Sequence, residues 1–382
     1  MWAGQEQKRA DTCDVVVVGA GLEGAAVAAR LAREGFDTAV LEAQSVAGGA
    51  TGRSAGMVLT GLAGHYNWAV SAYGRQKARE VWTLTVEGRE RLVETAERLG
   101  VVVAHTGSLA LAVEDTEADA MKESAALLQE DGFDVQFSPS DPLERGFCAA
   151  LHHPNDVTVD AAALTRALLT TSDVTIHEGI EVYNVEPEKS GVRVWARGRT
   201  VLCSAVVLAI NGYAPLLDFY FTDKVAPTRS LILATEPLEA VVLGQACYAD
   251  YGYEYCHQLP DRRLLLGGWR RPRPHLQPSP PRGRKETQKA ELDDVVQNGL
   301  VRFAARHFPD VETRSASRWS GVMGFTPDGL PLVGRLPDLP QAYFAVGFGG
   351  RGLAWALAVA ERLVALMLHD TDPGILSAAR LG

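Results

Sequence analysis

Three glycines and one glutamate near the start of the chain are spaced as in sites that bind a dinucleotide. Gly19, Gly21 and Gly24 form a G-x-G-x-x-G pattern, and Glu42 follows at about the 20-residue distance typical of this fingerprint. The first glycine permits a tight turn, the second lets a pyrophosphate approach the backbone, and the third lets a helix pack on a strand. A carboxylate at position 42 can accept hydrogen bonds from ribose hydroxyls, which favours NAD or FAD over NADP.

The residues around these glycines predict the elements that must position them. Residues 15–18 are four valines, typical of a strand that is buried on both faces of a parallel sheet. Residues 25–35 predict a helix whose N-terminus offers free N–H groups to phosphates. Residues 38–41 predict a second strand ending at the glutamate. The small-residue segment 45–56 comes next, and its backbone N–H groups are expected to reach another part of the cofactor.

Composition and charge exclude several classes of partner. The 382 residues suffice for two domains, and 47% apolar and 22% charged residues are typical of a globular protein. A net charge of −10 argues against nucleic acid and anionic membranes as partners. No membrane span is predicted, since Glu361 and Arg362 interrupt the most apolar C-terminal run, 353–367.

The cysteines and the first residues predict a cytoplasmic location. The five cysteines are far apart and contain no C-x-x-C pair, which favours reduced thiols over a disulfide framework or a zinc site. The polar N-terminal twelve residues do not resemble a secretory signal. The cysteines are Cys13, Cys148, Cys203, Cys247 and Cys256.

The middle of the chain has a different pattern from the first strand–turn–helix unit, and a similar unit occurs again near the C-terminal end. Residues 66–99 predict one long helix, and the strands that follow indicate a change of domain near residue 60. The proline- and arginine-rich stretch 270–289 predicts a long loop. Residues 343–346 then predict a buried strand, followed by a glycine turn at 347–352 and an apolar helix. This second strand–turn–helix unit offers another helix N-terminus.

Three passages resemble the FAD-dependent D-amino acid oxidase superfamily, which includes glycine oxidase and monomeric sarcosine oxidase. They are residues 15–42 with the loop 49–56, the A-I-N-G-Y segment 209–213, and the segment 319–334 that leads into the Gly347 turn. A second glycine turn favours FAD, because both ends of that cofactor need to be held. The alternatives are an NAD-dependent Rossmann dehydrogenase and a flavin-bearing subunit of a larger complex.

Within this superfamily the chain is most similar to the γ-glutamylputrescine oxidoreductase branch, whose members oxidise amines. The likeness rests on N-G-Y-A-P at 211–215, T-E-P-L at 235–238 and L-L-L-G-G at 264–268. Met323 stands where glycine oxidase has a carboxylate-binding arginine. Gly321 stands where sarcosine oxidase attaches its flavin, which implies non-covalent FAD. Apolar residues within 264–268 replace the oxygen-activating lysine of sarcosine oxidase.

The resemblance implies a fold of class α/β plus α+β. A Rossmann-like FAD-binding domain is expected to combine with a second, mainly antiparallel-sheet substrate domain, as in D-amino acid oxidase. The predicted FAD-binding domain is discontinuous and comprises residues 13–60, 150–214 and 321–382. The predicted substrate domain comprises residues 61–149 and 215–320.

The resemblance also implies which residues contact the ligands. The predicted cofactor-binding residues are Gly19, Gly21, Leu22, Glu23, Gly24, Glu42, Ala43, Gly49, Ala50, Thr51, Arg53, Ser54, Ala55, Gly56, Val182, Ala209, Asn211, Gly212, Gly347, Gly349, Gly350, Arg351, Gly352 and Leu353. The predicted substrate-pocket residues are Tyr255, His257, Trp269, Trp319, Met323 and Arg351. No residue is assigned a catalytic role, and no metal is predicted.

The implied reaction is oxidation of the C–N bond of a small amine or amino acid. A hydride passes from the carbon next to nitrogen to flavin N5, the resulting imine hydrolyses, and oxygen or another acceptor reoxidises the flavin. An alkylammonium group has a pKa of about 10, so the pocket must favour the neutral amine by desolvation. Such a reaction requires orientation of the substrate more than a general base.

Overall fold

The computed structural model describes residues 11–268, 286–313 and 316–382. The strands are β1 (Asp11–Val18), β2 (Thr38–Leu41), β3 (Met57–Val58), β4 (Val103–Ala104), β5 (Ser108–Ala112), β6 (Gln136–Ser138), β7 (Ala149–His153), β8 (Val157–Val159), β9 (Thr175–His177), β10 (Val182–Glu188), β11 (Gly191–Ala196), β12 (Arg199–Leu208), β13 (Ala226–Ala234), β14 (Ala246–Ala249), β15 (Glu254–Gln258), β16 (Leu264–Gly268), β17 (Ser317–Phe325), β18 (Leu332–Leu336) and β19 (Leu339–Val346). The α-helices are α1 (Leu22–Arg33), α2 (Ala50–Arg53), α3 (Tyr66–Tyr73), α4 (Arg75–Arg98), α5 (Asp115–Glu130), α6 (Ala161–Thr170), α7 (Ala214–Leu217), α8 (Glu286–His307) and α9 (Gly352–His369).

The first sheet has eight strands and a parallel centre. β1 pairs in parallel with β2 and β12, β2 pairs in parallel with β9, and β12 pairs in parallel with β19. The four valines at 15–18 are at most 5% exposed, as expected for a strand covered on both faces. This sheet therefore brings the carboxyl ends of β1 and β19, and the glycine turns that follow them, to the same edge.

The second sheet also has eight strands, in the order β17-β13-β16-β15-β14-β5-β7-β6. Its pairs are antiparallel except for β14 with β5. A small third sheet joins β3, β8 and β4. These sheets confirm the predicted fold class, α/β combined with a mainly antiparallel α+β part. The predicted domain boundaries stay a prediction.

Two sequence predictions about the middle of the chain were wrong in detail. The helix predicted over 66–99 is two helices, α3 and α4, because Gly74 between them has φ 82°, outside the helical region. The loop predicted over 270–289 lies outside the described residues up to 285, and α8 already begins at Glu286. By contrast, Asp160 caps α6 as expected, since its side chain accepts a hydrogen bond from Ala163 N at 2.9 Å.

Helix α9 is the most apolar of the long helices that the structure describes. By length and hydropathy alone it meets the requirements for crossing a membrane, with a mean hydropathy of 1.4, but 56% of it is buried inside the structure. It packs against α1 and α4, and a Cβ on Gly88 of α4 would lie 1.9 Å from the Ala354 carbonyl oxygen. Packing inside the protein accounts for the apolar sequence of α9.

Candidate active site

One cavity of about 570 Å³ is lined by the ends of β1 and β2 and by strands β13, β15 and β17 of the second sheet. This volume lies within the range of roughly 300–1,000 Å³ that is common for ligand sites. Gly21, at the start of α1, and Gly352, at the start of α9, both line it. Two helix N-termini, with their partial positive charges, therefore begin at the same cavity.

The turn after β1 is fixed by contacts within the chain. A Cβ on Gly24 would lie 2.0 Å from the Gly19 carbonyl oxygen, so a larger residue does not fit. The Glu42 carboxylate accepts hydrogen bonds from Ala20 N and Gln44 N, each at 2.8 Å. Each carboxylate oxygen has a further lone pair, and Glu42 lines the cavity, so it can also accept from a ribose hydroxyl.

Asn211 holds the turn after β19. Its side-chain oxygen accepts hydrogen bonds from Gly347 N at 3.0 Å and Phe348 N at 3.3 Å. A Cβ on Gly324 would lie 2.7 Å from that oxygen, so β17 also approaches closely. Asn211 itself lines the cavity. This link between the turns was not predicted, because 136 residues separate its partners and no local pattern records it.

Most of the predicted cofactor residues line this cavity, and four pack behind the lining. Those that line it are Gly19, Gly21, Leu22, Glu23, Glu42, Ala43, Gly49, Ala50, Thr51, Arg53, Ser54, Ala55, Val182, Ala209, Asn211, Gly349, Gly350, Arg351, Gly352 and Leu353. Those behind it are Gly24, Gly56, Gly212 and Gly347, where a Cβ would come within 2.0, 2.2, 2.8 and 2.4 Å of a neighbouring atom. These four glycines allow the segments to pack closely. Contact of either group with a cofactor stays a prediction.

Arg53 joins the short helix α2 to the second sheet. Its guanidinium donates hydrogen bonds to the carbonyl oxygens of Gly48 and Ser320, both at 2.9 Å. The indole Nε1 of Trp319 donates in return to the Arg53 carbonyl oxygen at 3.0 Å. These bonds fix the segment after the first turn against β17, which forms part of the cavity wall.

His257 and Trp319, both predicted as pocket residues, contact the lining segment and are not among the residues that line the cavity. His257 Nδ1 lies 2.8 Å from the Ala55 carbonyl oxygen and donates to it, since a carbonyl oxygen only accepts. Burial lowers the pKa of His257 below its ordinary value, which favours the neutral ring. Contact of either side chain with a substrate stays a prediction.

Three other predicted pocket residues, Tyr255, Met323 and Arg351, do line the cavity. Tyr248, which the sequence analysis did not single out, lines it as well. The guanidinium carbon of Arg351 lies 4.3 Å from the centroid of the Tyr248 ring, a cation–π arrangement. The sixth predicted pocket residue, Trp269, lies outside the described residues.

A buried carboxylate supports Arg351 from behind. Asp156 is 0% exposed and accepts hydrogen bonds from Thr60 N at 3.1 Å, Thr60 Oγ1 at 2.8 Å and Ser108 Oγ at 2.7 Å. A guanidinium nitrogen of Arg89 lies 3.8 Å from it. The Thr60 carbonyl oxygen in turn accepts a hydrogen bond from Arg351. Asp156 therefore fixes the residue that orients Arg351, a role that sequence reasoning missed because the partners are distant in sequence.

Asp156→Ala is expected to lower the free energy of unfolding by about 3–5 kcal/mol, because it leaves the buried Thr60 and Ser108 donors without their acceptor and removes the carboxylate that faces the buried Arg89 guanidinium. Urea unfolding measures the change. Asp134→Ala is the matched control. This exposed carboxylate accepts a hydrogen bond from Asn155 at 3.3 Å and from no other side chain in the described ranges, so its loss should cost under about 0.5 kcal/mol. Equal losses in the two variants would contradict the role given to Asp156.

Comparison with known proteins decides the family. The family model described as "FAD dependent oxidoreductase" (DAO) matches residues 14–366. The chain belongs to the DAO family of FAD-dependent oxidoreductases. This membership excludes the NAD-dependent alternative and confirms the resemblance that the three passages of the sequence predict.

The similarity to known relatives and solved structures covers nearly the whole length of this oxidoreductase. Its sequence is 25% identical to γ-glutamylputrescine oxidoreductase of Escherichia coli K12, covering 94% of this chain and 84% of the relative. It is 27% identical to glycine oxidase of Geobacillus kaustophilus, covering 89% of each. The crystal structure of glycine oxidase from G. kaustophilus superposes with a TM-score of 0.76 at 23% identity, covering 95% of this chain and 96% of that one. The last likeness shows the shared fold.

FAD is the cofactor of the oxidoreductase, and the residues of the cavity fit it. The N-cap residues of α1 and α9, Gly21 and Arg351, form no side-chain cap. Leu22 N donates to Thr51 Oγ1 at 3.1 Å, and the next amides of α1, together with those of the first turn of α9, are left as donors for a ligand. Such amides suit the phosphates of FAD at one helix and an electron-rich ring at the other. The five cysteines are free thiols, as the sequence predicted.

Proposed function

We propose that this oxidoreductase oxidises the C–N bond of a small amine or amino acid, giving an imine that hydrolyses. The observation that carries the proposal is that the nucleotide-type turn at Gly21 and the aromatic and cationic side chains of Tyr255 and Arg351 line one cavity. Relatives that are named as a γ-glutamylputrescine oxidoreductase and a glycine oxidase support an amine or amino acid as substrate. When bound, FAD supplies the acceptor for the hydride.

The residues of the cavity orient the substrate and exclude water. Tyr248 and Tyr255 offer aromatic surface, and Met323 adds an adaptable apolar contact. This apolar wall favours the neutral form of an amine over its ammonium form, and only the neutral form can release a hydride readily. We assign no general base, because the reaction asks the protein chiefly to position the reacting carbon.

Residues near the cavity support a non-covalent FAD. They do not select between oxygen and another electron acceptor for reoxidation of the flavin. Gly321, which the resemblance places where sarcosine oxidase attaches its flavin, lines the cavity, and no cysteine is among the lining residues of the described chain. Leu265 is buried, and the resemblance implies that apolar residues near it replace the lysine with which sarcosine oxidase activates oxygen. We therefore propose oxygen or another acceptor for reoxidation. The free thiols support the proposed cytoplasmic location.

An anaerobic titration of the purified yellow protein tests the proposal. Amines and amino acids are added one at a time, and we expect at least one of them to bleach the flavin absorbance without any partner protein. Alcohols and hydroxy acids of matched size are the control and should leave the spectrum unchanged. If an amine bleached the flavin only after a partner protein was added, this chain would be a flavin-bearing subunit of a larger complex. That result would contradict the proposal.

A further inference from the structure

Glu23, the second residue of α1, is a buried acid at the cofactor cavity. The residue is 8% exposed and belongs to the lining. Both of its carboxylate oxygens are buried and have no hydrogen-bond partner among the residues that the structure describes. An unpaired buried carboxylate is costly, so a chain that keeps a glutamate here must satisfy it in another way.

No cation in the described chain neutralises Glu23. The charged and titratable groups on α1 and on the elements beside it fall into three sets. On and directly after α1 they are Arg30, Arg33 and Glu34; on β1, after β2 and on α2 they are Asp11, Cys13, Asp14, Glu42 and Arg53. On α6, directly before α9 and on α9 they are Arg166, Arg351, Glu361, Arg362 and His369. Those with side-chain contacts bind elsewhere: Arg30 pairs with Glu34 and Glu361, and Arg53 and Arg351 donate to backbone carbonyls. Burial raises the pKa of the Glu23 carboxyl well above its ordinary value.

We propose that Glu23 stays a neutral carboxylic acid and donates its O–H to an oxygen of the bound FAD. The pyrophosphate carries negative charge, so a carboxylate beside it would repel the cofactor, whereas the neutral acid is a hydrogen-bond donor. The inference rests on the proposed placement of FAD along the turn that contains Gly21. If Glu23 donates in this way, the affinity of the protein for FAD depends on the proton of the Glu23 carboxyl group.

The sign of the pH dependence follows from which form binds. FAD binds the protonated acid, so the pKa of Glu23 is higher in the complex than in the flavin-free protein. Affinity is therefore full at pH values below the pKa of the flavin-free protein. Above that pKa it falls by up to tenfold per pH unit, until the pKa of the complex is reached.

The test is the Kd of FAD, measured by flavin fluorescence on flavin-free protein between about pH 6 and 9.5. The wild-type affinity is expected to fall by up to tenfold per pH unit once the pH exceeds the pKa of Glu23 in the flavin-free protein. Glu23→Gln keeps a neutral N–H donor, so its Kd should lie near the wild-type value at pH 6 and stay flat. Glu23→Met lacks a donor and should bind about fivefold to tenfold more weakly at pH 6, also without a pH dependence. Glu34→Gln, at the exposed end of α1, is the control and should follow the wild type.

Proton uptake provides a second readout, from calorimetry of FAD binding in two buffers with different ionisation enthalpies. Above the pKa of the flavin-free protein, the wild type should take up protons on binding, and the Glu23→Gln protein should take up fewer. A wild-type and a Glu23→Gln protein with the same pH profile would overturn the inference. A yellow protein that no amine bleaches would overturn the proposed function alone, since neither readout involves the substrate.

Discussion

Gly21→Ala is expected to weaken FAD binding by roughly 100-fold, about 3 kcal/mol, while the flavin-free protein keeps its stability. The backbone at Gly21 is extended, with φ −73° and ψ 178°, which alanine also adopts. Among the described residues a Cβ would meet only the Thr51 hydroxyl, at 3.2 Å, and a movement of a few tenths of an ångström relieves this contact while Thr51 Oγ1 stays within reach of Leu22 N, its donor at 3.1 Å. The added methyl group would instead occupy the space through which a pyrophosphate approaches the backbone. A fluorescence titration gives the Kd of FAD, and the Tm of the flavin-free protein reports its stability.

Gly24→Ala is the informative contrast, because its Cβ would lie 2.0 Å from the Gly19 carbonyl oxygen and should lower the Tm even without FAD. Gly244→Ala has open space around its Cβ and is outside the cavity lining, so it should change neither quantity. If the Gly21→Ala protein bound FAD as tightly as the wild type, the cofactor would not pass this turn as proposed.

The parts of the fold that the sequence predicted are those specified by neighbouring residues. The valines 15–18 and the glycines after them define strand, turn and helix within one short segment. The second unit at 343–352 is equally local, and the presence of two such units favours FAD over NAD from the sequence alone. Asp160 predicted a helix start in the same way, since an N-cap acts on the amide three residues later.

The parts that the sequence did not predict depend on contacts between distant segments. Asn211 at the second turn and Asp156 behind Arg351 both act through partners far away in the chain. On β15 and β17 the alternation of side chains places Tyr255 with His257, and Gly321 with Trp319, on a common face. How far the cavity extends along that face depends on where α2 and the residues after it pack. Arg53 of α2 contacts Trp319, and Ala55, which follows α2, contacts His257.

Arg351→Met is expected to lower kcat/KM for an amino acid substrate by roughly 100-fold, about 3 kcal/mol, while the corresponding amine without a carboxylate changes little. Arg351 is 9% exposed, and among the described residues no acidic side chain pairs with it. Its guanidinium contacts the Thr60 carbonyl oxygen and the face of Tyr248. A guanidinium has five N–H donors, so most of them are available to an anion in the cavity. Met323 cannot bind a carboxylate, and Arg53 of the lining donates to the carbonyl oxygens of Gly48 and Ser320, so we assign this role to Arg351.

The pair of substrates is the control for this prediction, because an amino acid and its decarboxylated amine differ only in the group that Arg351 is proposed to bind. Arg351→Lys keeps the charge but not the planar, two-pronged geometry, so it should recover only part of the loss for the amino acid. The Kd of FAD, measured on the same variants, separates the two possible anionic partners. If both substrates lost activity equally and FAD dissociated more readily, Arg351 would serve the electron-rich end of the cofactor. If only the amino acid were affected, the residue would select a substrate that carries a carboxylate.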